Sequence, residues 1–108
     1  MDVKISLYWH RYKGDGKTWA ARYVNGKITD FLKSVEFEET NGTKSGGAYE
    51  GWKTYILEEG GTYLLHRPHT KTTSIRQLVE VRGGQIQILP YDGRWADETG
   101  KPIYNLES

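Results

Sequence analysis

The chain has 108 residues, enough for one modest hydrophobic core and too few for two ordinary domains, so residues 1–108 are expected to form a single domain. Its 4 Trp, 8 Tyr and 2 Phe argue against disorder, and the absence of Cys excludes disulfides, thiolate catalysis and Cys-ligated zinc. A net charge of +1 argues against a dedicated binder of duplex nucleic acid, which is usually strongly basic.

The sequence begins Met1-Asp2-Val3-Lys4 and does not resemble a signal peptide. No apolar run approaches the roughly 20 residues that a membrane-spanning helix needs. We therefore expect a cytoplasmic protein. The lack of Cys, the single Met and the few Asn and Gln are typical of proteins from thermophiles.

Charge is unevenly distributed along the chain. Residues 1–33 carry a net charge of +4, residues 34–61 carry −4, and the remainder carries +1. Such segregation favours a surface with a basic and an acidic pole. Interleaving of strands from the two segments would instead neutralise it.

The first predicted strand alternates apolar and polar residues, with Leu7 and Trp9 among those on its core side. The glycines of the 14–16 turn predict a hairpin with a second strand at 18–24. Centring that hairpin on Asp15 places Tyr8 opposite Arg22. The core side then contains the following residues: Val3, Ile5, Leu7, Trp9, Trp19, Ala21 and Tyr23.

Asn25-Gly26 predicts a tight hairpin that pairs Tyr23 near Ile28, because both turn positions tolerate a positive φ. The following segment favours a strand with an irregularity near Phe31, with a short helix at 29–34 as the alternative. Residues 41–47 form the longest predicted loop, which is polar and contains three glycines.

Two further hairpins are predicted around glycine pairs. One joins strands at 52–59 and 62–69, and the other joins 75–82 to 85–89 with Val79, Val81, Ile86 and Ile88 on its buried face. Asp92-Gly93 predicts another turn, and the C-terminal segment is expected to be tied down by these apolar anchors: Trp95, Ile103, Tyr104 and Leu106.

These elements predict an all-β fold, with one short helix as an open alternative. The strands are expected to form an antiparallel meander of six to seven strands, curled into a small barrel or a strongly curved sheet. Closure or strong curvature protects the edge strands from aggregation.

The polar face of the first predicted hairpin is the principal candidate site. Flat rings beside cations suit the stacking of unpaired bases with phosphate contacts alongside, at about 1–3 kcal/mol per stacked base. The face comprises Lys4, Tyr8, His10, Tyr12 and Arg22, with Lys13 and Lys17 at its rim. Exposed tyrosines are also ordinary strand residues, so the same face is compatible with simple packing.

A second candidate is a protein-binding patch formed by Tyr49, Trp52 and Tyr55, flanked by Glu50 and Glu58. Tyr and Trp are favoured at the energetic centres of protein interfaces. Such a patch would suit an inhibitor, an adaptor or a dimerising domain, and a homodimer through an uncovered sheet edge belongs to the same class.

The histidines suggest two further hypotheses. His66 and His69 have a His-x-x-His spacing, but no supporting carboxylate lies at a recognisable offset, so no metal site is expected. His10 and His66 could act as base and acid in a metal-independent ribonuclease if their strands converge. We therefore favour a binding module without a cofactor over an enzyme, with single-stranded DNA or RNA ahead of a protein partner.

Overall fold

The computed structural model describes residues 1–12, 18–43, 48–68, 74–91 and 103–106, and at 10–12, 40–43, 48, 49 and 105 it describes the backbone alone. These residues form nine β-strands and no helix. The strands are β1 (Val3–Tyr12), β2 (Trp19–Val24), β3 (Lys27–Phe31), β4 (Glu36–Thr43), β5 (Ala48–Leu57), β6 (Thr62–Pro68), β7 (Ser74–Arg82), β8 (Gln85–Leu89) and β9 (Tyr104–Leu106). The fold is all-β, and a helix at 29–34 is wrong because β3 continues through residue 31.

The strands form two antiparallel sheets and not a single meander. Sheet A has the order β4-β5-β1-β9, and sheet B has the order β3-β2-β6-β7-β8. In the described strands no pairing joins the two sheets into the predicted barrel.

The chain passes from one sheet to the other after β1, β3, β5 and β8, so most neighbouring strands in sheet A are distant in sequence.

One buried cluster joins the two sheets. β1 and β5 contribute from sheet A, and β2, β6 and β7 contribute from sheet B. The cluster consists of Ile5, Leu7, Ala20, Tyr55, Leu57, Tyr63, Leu65, Ile75, Val79, Val81 and Ile103. Burial of these apolar side chains, at about 25 cal/mol per Å² of surface removed from water, is the main force that holds the sheets together.

Two of the predicted hairpins are confirmed. β2 pairs with β3 around Asn25-Gly26, where φ is 53° and 79°, and Tyr23 lies opposite Ile28. β7 pairs with β8 around two glycines of positive φ, in the predicted register. Only Ile88 departs from expectation, because it is 42% exposed although it lies opposite the buried Val79.

The other two predicted hairpins are wrong. β1 pairs with β5 and β9, whereas β2 pairs with β3 and β6, so Tyr8 does not face Arg22. On β2, Ala20 belongs to the shared core cluster and Trp19 lies on the other side of the strand, together with Ala21, which is also fully buried. β5 and β6 lie in different sheets, so the chain around Gly60 crosses between sheets instead of closing a hairpin.

The remaining sequence predictions are partly met. β4 extends to residue 43 and β5 begins at 48, so residues 41–43 are strand and the connection is shorter than predicted. Ile103 is buried, its N–H donates to Gln77 Oε1 at 3.3 Å, and Tyr104 packs against the core, whereas the predicted anchor Leu106 is 62% exposed. The turn at Asp92-Gly93 and the side chain of Trp95 lie outside the described residues.

Gly51 allows a close approach between β4 and β5. A Cβ at this position would overlap the carbonyl oxygen of Glu38 and lie 2.9 Å from the Cα of Glu39. That carbonyl accepts a hydrogen bond from Nε1 of Trp9 at 3.3 Å, and Trp9 stacks on Phe37 with ring centroids 5.0 Å apart. Because Gly51 has no side chain, β4 and β5 lie close enough for the indole of Trp9 on β1 to reach the backbone of β4.

Gly51→Ala is expected to destabilise the protein by about 3 kcal/mol, because the new methyl group would force the two backbones apart. Gly60→Ala is the control: its site has a φ of +83° but open space around it, so only about 1 kcal/mol of backbone strain is expected. Urea unfolding of both variants measures the difference. Equal losses of unfolding free energy would contradict the proposed close approach.

Glu59 fastens three parts of the chain at one end of the molecule. Its carboxylate accepts hydrogen bonds from the N–H groups of Gly83 and Gly84 at 2.6 and 2.8 Å, and from the Met1 ammonium at 2.7 Å. The Met1 ammonium first, and then the two backbone donors, lower the pKa of Glu59 from 4.5 to about 2. The crossover from sheet A to sheet B is thus tied to the β7–β8 turn.

The stability that Glu59 provides is expected to depend on pH. Because the pKa in the folded state is depressed, the contribution is complete above pH 4.5 and is lost as the pH falls toward about 2. The difference in unfolding free energy between wild type and Glu59→Gln should therefore shrink over that interval. Acetylation of the Met1 amine should reduce the effect. A difference that stays constant with pH would contradict this assignment.

Candidate functional site

The predicted aromatic–basic surface is not assembled as one face. Lys4 and Tyr8 lie on the face of sheet A that points away from the shared core, because the alternating Ile5 and Leu7 point into it. Arg22 lies in sheet B, with its guanidinium over the ring of Tyr63. The side chains of His10 and Tyr12, and all of Lys13 and Lys17, lie outside the described part of the structure.

The two described cations of that surface both have carboxylate partners. Lys4 Nζ lies 2.9 Å from Glu36 Oε1. Arg22 pairs with Glu58 and lies 3.6 Å from Asp30, and the hydrogen bond to Glu58 is the main reason that its pKa is raised. Phosphate groups would have to compete with these carboxylates for both cations.

Tyr8 instead meets an aromatic side chain of β5. Tyr8 and Trp52 are directly opposite in the β1–β5 pairing, and their rings pack edge to face with centroids 5.7 Å apart. The Tyr8 hydroxyl donates to Glu50 Oε2. Burial, followed by the hydrogen bond and the charge of Glu50, raises the pKa of Tyr8 to about 12, so the phenol stays protonated and Glu50 carries the charge.

The surroundings of this aromatic pair are acidic. Glu38 lies opposite Trp52 on β4, and Glu36 lies opposite Thr54, so both share the face of the two rings. We call the outward side of sheet A that carries Lys4, Tyr8, Glu36, Glu38, Glu50 and Trp52 the Tyr8–Trp52 face. Its described side chains include three carboxylates and one ammonium.

The face rests on a rigid base. The hydroxyl groups of Ser6 and Thr54 are buried beside the aromatic pair and lie 2.9 Å apart in a hydrogen bond. The Thr18 hydroxyl donates to the carbonyl of Tyr8 at 3.1 Å. β1 pairs with β5 at Tyr8 and with β9 at the three residues before it, so the backbone that leads to Tyr8 is held on both sides.

The structure divides the predicted protein-binding patch. Trp52 and Glu50 lie on the Tyr8–Trp52 face, whereas Tyr55 is in the core, only 3% exposed, with its hydroxyl donating to the Thr18 carbonyl at 3.4 Å. Tyr55 is therefore not a surface contact, because the alternation of β5 turns it inward. Tyr49 belongs to β5, but its side chain is outside the described residues.

His66 is placed in a stack on sheet B. Its ring is parallel to that of Trp19, with centroids 4.7 Å apart, and its Nδ1 accepts a hydrogen bond from Arg76 Nε at 3.0 Å. The backbone of His10 lies in sheet A opposite Glu50, so the two positions proposed for a ribonuclease are in different sheets. His69 lies outside the described residues, among which no cluster of three potential metal ligands occurs.

Sequence reasoning missed the contact of Tyr8 with Trp52 because each was assigned to a different candidate site. The missed cluster of Trp19, His66 and Arg76 crosses three strands of sheet B, with Phe31 packing edge to face on Trp19. The only local signal was the alternation in β2, and it placed Trp19 on the wrong side.

Comparisons with protein families, characterised proteins and solved structures find no match. In the part of the chain that the structure describes, there is no helix long and apolar enough to cross a membrane. A function must therefore be inferred from the geometry of the Tyr8–Trp52 face itself.

Glu50→Gln is expected to lower the pKa of Tyr8 from about 12 while leaving it above 10.0, because burial is the largest cause of the shift and persists in the variant. The pKa of Tyr55, raised to about 12 by burial alone, is the internal control and should not move. Ring-labelled tyrosine NMR across the alkaline range, assigned with Tyr8→Phe and Tyr55→Phe, measures both. A Tyr8 pKa unaffected by Glu50→Gln would show that the two side chains do not interact.

Proposed function

We propose that this chain is a protein-binding module whose Tyr8–Trp52 face binds a basic polypeptide segment. The observation that carries the proposal is the edge-to-face pair of Tyr8 and Trp52, bordered by Glu38 and Glu50. Both rings are half-buried, so each offers part of its surface to a partner while its position is held by the sheet.

The charges on the face favour a cationic partner over nucleic acid. Single-stranded nucleic acid binds where rings and unpaired cations alternate, because each phosphate must gain a positive partner. Here Glu36, Glu38 and Glu50 surround the rings, and Lys4 is already paired with Glu36. A phosphate backbone would therefore meet three carboxylates on this surface, with Arg67 as a further cation whose charge acts on Tyr8.

The chemistry of a fitting partner follows from the same groups. Lysine or arginine side chains can lie over the indole of Trp52 while their charged ends reach Glu38 or Glu50. Tyr and Trp are common energetic centres of protein interfaces, and surrounding carboxylates guide a cationic partner to the site. In an extended segment that alternates basic and apolar residues, all the basic side chains project to one side and can meet the rings and the carboxylates together.

The test uses a fluorescent model peptide of alternating Lys and Leu, with a Glu–Leu peptide of equal length as the charge control. The protein is expected to bind the basic peptide and not the acidic one, with affinity that falls as salt increases. Trp52→Ala should weaken binding by about 30-fold, the loss typical of an interface anchor.

A matched pair of charge variants locates the contact. Glu38→Gln should weaken binding by about threefold, since a rim charge contributes up to about 1 kcal/mol. Glu39→Gln makes the same change one residue away on the same strand, but its side chain alternates to the other side of β4, so its effect should be smaller. Equal effects of the two variants would contradict binding at the Tyr8–Trp52 face.

A parallel titration with labelled single-stranded DNA and RNA, followed by a gel, tests the competing functions. We expect no change in anisotropy and no shortening of the oligonucleotides. Salt-sensitive binding that is lost in Tyr8→Ala would overturn the proposal in favour of nucleic-acid binding. Shortened products that disappear in His66→Ala would instead identify a nuclease.

A further inference from the structure

The outer edge of sheet B is formed by β8, which differs from the other sheet edges. β8 reads Gln85-Ile86-Gln87-Ile88-Leu89 and contains no charged residue. By contrast, β4 carries three glutamates, β3 carries Lys27 and Asp30, and β9 is only three residues long. Charges and short length are the usual protection of an exposed edge, and β8 has neither.

β8 also leaves apolar surface unburied on the side that faces the core. Ile88 is opposite Val79, which is fully buried, and Ile86 is opposite Val81, which is also fully buried. Ile88 is nevertheless 42% exposed, because in the described sheet no strand lies beyond β8. The row of core side chains that includes Val79 therefore ends at Ile88, whose side chain is partly exposed to solvent.

The two described residues that follow β8 turn away from this edge. Pro90 follows the strand, and the ring of Tyr91 packs edge to face on Tyr23 of β2, with centroids 6.2 Å apart. Because β2 is three strands further into the sheet, Tyr91 lies over sheet B and not alongside the free edge of β8.

We propose that β8 is a homodimer interface, at which a second copy of this chain pairs antiparallel with the first. A two-fold axis at Gln87 places each Ile86 opposite Ile88 of the other copy, Gln85 opposite Leu89, and the two Gln87 residues opposite each other. The apolar row of Val79 and Ile88 then continues into Ile86 of the second copy, and sheet B becomes a ten-strand sheet shared by both chains.

A second copy fits this edge better than the β4 edge of sheet A. Pairing through β4 would bring its three glutamates close to those of the second copy, and like charges across a strand pair are destabilising. Self-pairing of β8 meets no charge and brings its exposed isoleucines together. This inference concerns sheet B only and does not depend on the function proposed for sheet A.

Sedimentation equilibrium from about 1 µM to about 1 mM tests the dimer directly. Wild type should change from a 12.4 kDa monomer to a particle of twice that mass as concentration rises. Ile88→Lys should weaken dimerisation by at least about 100-fold, since it places two ammonium groups in the apolar row. Val24→Lys, at another exposed position of sheet B, should leave it unchanged.

A cross-linking experiment covers the case in which Ile88→Lys fails to fold. The chain contains no cysteine, so Gln87→Cys introduces a single thiol that the two-fold axis places opposite its copy. Opposed residues in an antiparallel pair lie about 4.5–5.5 Å apart at Cα, within the range of a disulfide. Oxidised glutathione should therefore yield a covalent dimer from Gln87→Cys and not from Val24→Cys. A monomer at every concentration, or equal cross-linking of the two variants, would overturn the proposal.

Discussion

The passage of the chain from sheet A to sheet B between β5 and β6 is the constraint on which the rest of the structure depends. Tyr63 holds this crossover: it is fully buried, and its hydroxyl accepts hydrogen bonds from the Glu58 N–H at 2.8 Å and from Arg22 at 3.2 Å. The crossover also bonds to β7, through Gly60 N to the Val81 carbonyl at 2.8 Å and Val81 N to the Gly61 carbonyl at 3.0 Å. Because these contacts fix where β5 ends and β6 begins, they set which strands are free to pair in each sheet.

β5 pairs with β1 in sheet A, and the long-range arrangement of the strands brings opposite charges together. The basic first third and the acidic second third of the sequence are interleaved in space, so that Lys4 meets Glu36 and Arg22 meets Glu58. Among the described residues, oppositely charged groups of the two segments are therefore paired and not separated into two poles. Three carboxylates lie on the Tyr8–Trp52 face, where Glu36 pairs with Lys4 and Glu50 accepts a hydrogen bond from Tyr8.

The parts of the fold that could be predicted from sequence are those decided locally. Asn25-Gly26 and the Gly83-Gly84 pair close real hairpins, because the turn geometry and the flanking alternation agree. A glycine pair predicts a change of direction, but it does not show whether the two flanking strands will pair. At Gly60 that choice depended on contacts with Tyr63 and Val81, and the sequence pattern carries no trace of them. The Tyr8–Trp52 face was missed for the same reason, since β1 is distant in sequence from β4 and β5, which supply its other residues.

The proposed binding site and the proposed dimer edge lie in different sheets of the molecule. The Tyr8–Trp52 face lies on sheet A and β8 lies at the edge of sheet B, so pairing through β8 leaves the face of each copy open. A dimer would then present two equivalent acidic–aromatic faces on one rigid particle. A partner with repeated basic segments could engage both, and the second contact would form at the high effective concentration set by the first. Weak binding at each face would then suffice for a stable complex, which suits a site whose two aromatic rings are only half exposed.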